Sequence, residues 1–212
     1  MNVVIIDYGL GNILSVQRAI EYLGASVLVT NNPKQIISAS HVLLPGVGAF
    51  PDAMREIGKL GIVDAIREIA FSGKPLMGIC LGMQLLMDES NEYIASPGLG
   101  LIAGQVIDIP KYDLSQSPHK IPHIGWSRLI KTKSTESWAG TVLQDTALND
   151  FAYFVHSYMA VPLDPKNRLA NCDYGGHEIA AVIAKDNIVG CQFHPEKSGE
   201  VGLKILNRFL KL

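Results

Sequence analysis

Between Asn2 and Asp88, short apolar runs alternate with stretches of helical periodicity, and this alternation leaves few architectures open. Asn2 to Asp7 has strand character. Gly11 to Leu23 follows with Ile13, Val16, Ile20 and Leu23 at helical spacing, and Gly24 supplies a stop. Ser26 to Val29 and His41 to Leu44 are short buried strands, with Asn31-Asn32-Pro33 as a turn between them. Helical patterns cover Pro51 to Lys59 and Ile62 to Phe71. Pro75 to Ile79 is a strand that leads straight into Cys80 and a helix from Leu81 to Asp88. Strands joined through helices pair in parallel, so the expected fold is α/β: an open, twisted, mainly parallel sheet with helices on both faces.

The second half makes that sheet partly mixed. Gln105 to Ile109, Ala152 to Val155, Ala180 to Ala184 and Ile188 to Phe193 are short strand-like runs whose close spacing suggests antiparallel partners. Ser198 to Leu210 closes the chain with one apolar helical face. Repeats and interdomain linkers are lacking, so residues 1–212 are expected to form a single domain. Asp113 to Lys120 is the candidate mobile loop.

Several function classes drop out. A formal charge of -2 gives no electrostatic reason to expect nucleic acid or a membrane surface. The apolar start lacks a basic leader and stops at Asp7, and no run approaches the ~20 apolar residues of a membrane helix. A cytoplasmic location is expected. Cys80, Cys172 and Cys191 are odd in number and have no metal-like spacing, as is true of the histidines, so neither a disulfide framework nor a metal is expected. Gly9-Leu10-Gly11 fails as a dinucleotide fingerprint because residue 14 is leucine. No cofactor is expected.

Gly78-Ile79-Cys80-Leu81-Gly82 is the thiol counterpart of a nucleophile elbow. Its glycines allow a tight turn, and the partial positive charge at the start of the following helix favours a thiolate. The Leu81 amide points where an oxyanion would form. Gln84, one turn on, could hold an amide or carboxylate near the thiol. Taken alone, such a cysteine can also be a small core residue, but the elbow context favours the functional reading. Near the C-terminus, Pro195 holds His194 extended, and Glu196 lies two residues on, where a carboxylate could fix the imidazole. Together these residues suggest acyl transfer through a thioester. Pro45-Gly46-Val47-Gly48 is either a plain turn or a peptide free to turn an N–H toward an oxyanion.

Gly78 to Gln84 together with Gln192-Phe193-His194-Pro195-Glu196 resembles the class I (triad) glutamine amidotransferases. Pro45 to Phe50, His123-Ile124-Gly125-Trp126, Phe154 to Tyr158 and His194 to Ser198 narrow the resemblance to the glutaminase subunit of imidazole glycerol phosphate synthase. The resemblance implies a Cys80–His194–Glu196 triad and an oxyanion held by Leu81 and a reoriented amide near Val47. It implies that Gly48, Gln84, Ser157 and Tyr158 hold glutamine. It also implies a (β/α)8 barrel cyclase partner that receives ammonia for histidine synthesis, with Pro45 to Gly48 as the switch and Asn12, Tyr158 and Lys197 at the interface. His119-Lys120-Ile121-Pro122 departs from the basic stretch usual before the His-x-Gly-Trp motif. That leaves open a related amidotransferase serving amino-sugar synthesis. Because fold alone does not fix function, a regulatory module that does no chemistry and a hydrolase of another glutamyl amide are further alternatives, the intact Cys80, His194 and Glu196 arguing against the former.

Overall fold

The computed structural model describes residues 2–212. In chain order the first half runs β1 (Asn2–Ile6), α1 (Ile13–Tyr22), β2 (Ser26–Thr30), α2 (Pro33–Ser38), β3 (His41–Gly46), α3 (Phe50–Lys59), α4 (Val63–Phe71), β4 (Leu76–Cys80) and α5 (Leu81–Leu85). The second half adds β5 (Met87–Ser90), β6 (Ser96–Pro97), β7 (Ile102–Asp108), β8 (His123–Arg128), β9 (Ile130–Lys131), β10 (Phe151–His156), β11 (Tyr158–Pro162), β12 (Arg168–Tyr174), β13 (His177–Lys185), β14 (Ile188–Cys191) and α6 (Gly199–Phe209).

The central sheet has eight strands in the order β2-β1-β3-β4-β14-β13-β12-β9. The five from β2 to β14 are parallel, and the remaining pairs are antiparallel. The expected α/β architecture is therefore present, mixed at one edge. Both faces of its parallel half are covered, which is why β1 reads as an unbroken apolar run. Val3 and Ile5 pack toward α1 and α6, and Val4 and Ile6 toward α2, α3 and α4. Each such side chain, fully buried, contributes roughly 1.5–3 kcal/mol. Two smaller sheets, β10-β8 and β11-β7-β5-β6, stand beside this core. Among the described residues, no helix is long and apolar enough to cross a membrane.

Three expectations are corrected. Asn31-Asn32-Pro33 is not a bare turn: Asn32 accepts N–H bonds from Lys34 (3.0 Å) and Gln35 (3.4 Å) and caps α2, with proline at its first position. The helix expected to reach Asp88 stops at Leu85, because Met87 to Ser90 pairs with β7 as strand instead. The 113–120 loop is tied down rather than free. Asp113 accepts from Ser115 Oγ at 2.7 Å and from the Ser117 N–H at 2.8 Å, and the Leu114 N–H reaches the Gly175 carbonyl at 3.0 Å.

Candidate active site

The C-terminal edges of β3, β4 and β14 meet at Cys80, so the site lies at the carboxyl ends of parallel strands, where open α/β sheets bind ligands. Cys80 has φ 55° and ψ -111°, a conformation an L-residue rarely adopts. The chain can make this corner because Gly82 has no side chain: a Cβ there would overlap the Leu44 carbonyl oxygen. α5 is only five residues long. Its dipole is correspondingly small, and the charged partner of the thiol has to come from elsewhere.

That partner is His194. Its Nδ1–H donates to Glu196 Oε1 at 2.8 Å, and both side chains are almost wholly buried. Burial disfavours the imidazolium, but interaction with the Cys80 sulfur and the Glu196 carboxylate outweighs it and lifts the His194 pKa from 6.5 to about 10. Nε2 is buried without a hydrogen-bonding partner, free to carry a proton between reacting atoms. Glu196 reaches His194 through the tight turn Pro195–Lys197, not through the strand alternation expected from the sequence. Asn12 Nδ2 donates to the same Oε1 at 3.0 Å. The structure thus sets Asn12 directly behind the carboxylate. By contrast, burial pushes the Cys172 thiol up to about 12 and raises Cys191 as well, as suits packed, unreactive cysteines.

Cys80 opens onto a cavity of about 330 Å³, lined also by Val47, Gly48, Leu81, Gln84, Glu92, Tyr93, Val155, His156, Ser157 and Tyr158. That volume lies at the lower end of pockets that take small ligands. Every oxyanion and glutamine-contact residue expected from the sequence is on this wall. Two need restating. The Val47 N–H is not free: it donates to the Leu10 carbonyl at 3.1 Å, whereas the Leu81 N–H, first in α5, has no intrahelical partner. Gln84 spends both amide hydrogens, on the Tyr158 carbonyl and on Gln192 Oε1, each at 3.1 Å. It can offer the ligand only an acceptor, so it suits an amide or ammonium N–H and not a carboxylate.

Lys197 is exposed beside the triad turn, while Tyr158 sits across the cavity in its wall. The aromatic neighbour of that turn is Tyr153, whose carbonyl accepts the His194 N–H at 3.0 Å. Sequence reasoning also missed Glu92, His156 and Gln192. Glu92 is 5% exposed and accepts the Phe50 N–H at 2.7 Å, and burial raises its pKa. Nothing in Asn91-Glu92-Tyr93 signals this placement. His156 Nδ1–H donates to the Tyr158 carbonyl at 2.8 Å, so its Nε2 must accept from His123 Nδ1 at 3.0 Å, and Ser127 Oγ must donate to His123 Nε2 at 2.9 Å. Burial lowers the pKa of His123 to about 4 and of His156 to about 3, so this chain of bonds is neutral.

A thiol on a strained elbow, an imidazole beside it and a carboxylate fixing that ring form an arrangement suited to acyl transfer through a thioester. Residues 4–212 match the profile of the family Glutamine amidotransferase class-I, and the chain belongs to this family. It is 51% identical over 211 residues to imidazole glycerol phosphate synthase subunit HisH 1 of Legionella pneumophila (strain Lens), covering 100% of this chain and 99% of the relative. The corresponding subunit of Methanosarcina barkeri (strain Fusaro / DSM 804) is 46% identical, covering 99% and 98%. That of Geobacillus thermodenitrificans (strain NG80-2) is 44% identical, covering 97% and 93%. Among solved structures, a glutamine amidotransferase superposes with a TM-score of 0.73 at 17% identity, over 98% of this chain and 97% of its own. A chain of PurLQS from Thermotoga maritima does so with a TM-score of 0.69 at 21% identity, over 99% and 97%; at these identities the likeness concerns the fold.

Proposed function

We propose that this chain is the glutaminase subunit of an imidazole glycerol phosphate synthase, passing ammonia from glutamine to a cyclase subunit. The observation that carries the reading is the Cys80–His194–Glu196 array, whose Cys80 opens into the cavity. Relatives at 44–51% identity, matched over nearly their whole length and all bearing the same subunit name, support the histidine pathway over amino-sugar synthesis.

The sulfur attacks the side-chain amide carbon of glutamine. The resulting oxyanion takes the Leu81 N–H and, once the Gly46–Val47 peptide turns away from Leu10, the Val47 N–H. His194 gives its proton to the departing nitrogen, the C–N bond breaks, and ammonia departs to leave a glutamyl thioester. Water then attacks that thioester and yields its proton to His194 Nε2, and the S–C bond breaks to release glutamate. The acidic part of the pocket wall is Glu92, whose buried carboxylate fits the substrate ammonium. Gln84 Oε1 accepts an N–H, and Gly48, Ser157 and Tyr158 complete the pocket.

The partner binds beside this site. The outer face of the β10-β8 pair exposes Ile124, Trp126 and Phe151, and the Trp126 and Tyr153 rings lie 5.9 Å apart on it. We assign this apolar face, together with Asn12 and Lys197 at the triad turn, as the docking surface for a (β/α)8 cyclase subunit in the cytoplasm. The test is glutamine hydrolysis by the chain mixed with the cyclase, with and without the cyclase's ribonucleotide ligand. Strong stimulation by the ribonucleotide is expected. Hydrolysis indifferent to it would retain the thiol chemistry and reject this partner.

A further inference from the structure

β14 lies parallel to β4 with Gly190 beside Gly78 and Cys191 beside Ile79, so the next residue, Gln192, comes level with Cys80. Gln192 is fully buried, and its Nε2 points at the Cys80 sulfur from 3.9 Å. The direction of this amide is imposed from outside. The Tyr158 carbonyl can only accept, so Gln84 must turn its nitrogen toward it. The same nitrogen then faces Gln192, whose oxygen must accept from it, at 3.1 Å. If Gln192 were reversed, two N–H donors would meet in a buried site, which costs the desolvation of both. Its own N–H is therefore held on the sulfur.

We propose that Gln192 is a positioning residue for the nucleophile: the Gln84–Gln192 relay holds an N–H donor on Cys80 and stabilises its thiolate, on the reading that Cys80 attacks glutamine. The need for such a donor is visible at the sulfur. Apart from His194, the sulfur's other polar neighbour is the Val155 carbonyl at 3.8 Å, which accepts an S–H but repels a thiolate. When the thiol gives its proton to His194, that contact turns unfavourable and the Gln192 N–H becomes charge-assisted, drawing in from a long separation. Because Gln84 also lines the cavity, a ligand that engages its oxygen steadies the same relay and hence the sulfur.

Two variants test this. Gln192→Glu keeps the oxygen that Gln84 needs and replaces the donor with an oxygen facing sulfur, and Gln192→Met removes the donor at similar volume. The pH profile of iodoacetamide alkylation, followed at Cys80 by mass spectrometry, is expected to move up by about one pH unit in both, with glutaminase kcat falling about tenfold or more and KM for glutamine within about twofold. A folded variant that keeps the wild-type alkylation profile overturns the proposal, whatever its kcat. So does a loss expressed only in KM. Wild-type protein whose activity survives complete alkylation of Cys80 would instead reject the thiol reading on which the proposal rests.

Discussion

Acidification from pH 7 to pH 5 should cost this protein several kcal/mol through two histidines outside the Cys80–His194–Glu196 array. His123 and His156 are 2% and 6% exposed, and burial holds their folded pKa values near 4 and 3, below the 6.5 of the unfolded chain. Between those values the unfolded state binds protons that the native state refuses. Stability from these groups is therefore complete above about pH 6.5 and is lost as pH falls toward 4. Each histidine costs about 2 kcal/mol at pH 5, and the pair about 4 kcal/mol, a large share of a typical domain's stability. His194 offsets only a small part of this: with a folded pKa near 10 its stabilising contribution is complete below about pH 6.5, and it grows by less than about 1 kcal/mol between pH 7 and pH 5. Burial lowers His41 in the same sense as the pair. Urea unfolding at the two pH values measures the loss, and NMR titration of the ring carbons assigns it. Folded-state titration of His123 or His156 with a midpoint near 6.5, or unfolding free energies equal at pH 7 and pH 5, would refute the reasoning.

Other perturbations separate the parts of the site. Cys80→Ala should abolish glutamine hydrolysis while partner binding, followed by sedimentation or calorimetry, stays intact. Asn12→Ala removes one of the two donors on the buried Glu196 oxygen; a bond to a charged group contributes about 1.5–3 kcal/mol, so kcat should fall roughly 10- to 100-fold with KM little changed. Glu92→Gln should raise KM for glutamine at least tenfold, with the alkylation rate of Cys80 unaltered. Gly82→Ala should yield little soluble protein, because the new Cβ would overlap the Leu44 carbonyl and the elbow cannot form around it. Normal expression and melting of that variant would contradict the packing described here.

The parallel core was legible because its inner strands β1, β3, β4 and β14 are short, mainly apolar runs buried almost throughout, and periodicity reports that directly. Where the sequence misled, tertiary pairing overrode local preference. Leu81 to Asp88 has helical composition, yet Met87 onward is drawn into a ladder with β7, a partner that lies many residues away and leaves no local mark. β12 went unseen for a similar reason: its pairing with β13 includes register shifts, and its run is broken by Asn171 and Asp173. In the site, Cys80, His194 and Glu196 were readable because a nucleophile corner and a proline-held histidine demand particular neighbours. Glu92, Gln192 and the His123–His156 chain were not. Their roles arise from which strand stops beside which, and single residues of ordinary type carry no trace of that.

The rigid and the adjustable parts of the site are divided between neighbouring strand ends. β4 ends in a corner held on every side, with Gly82 against Leu44 and the sulfur between Gln192 and His194. β3 ends in Gly46-Val47-Gly48, where Gly48 has φ 108° and the Val47 N–H is held by the Leu10 carbonyl rather than aimed at the reaction. Releasing that one bond costs about 1 kcal/mol, and the same N–H on an oxyanion is worth about 2.7–4 kcal/mol. The ground state thus favours the idle arrangement and the transition state the working one, with a margin small enough for a bound partner to decide. Driving such a pair of states from 1:99 to 99:1 takes about 5.5 kcal/mol of differential contact, so a partner acts on it only through contacts made in one state and not in the other. On the proposed function, the triad can therefore stay assembled at all times while glutamine is spared until the partner is in place.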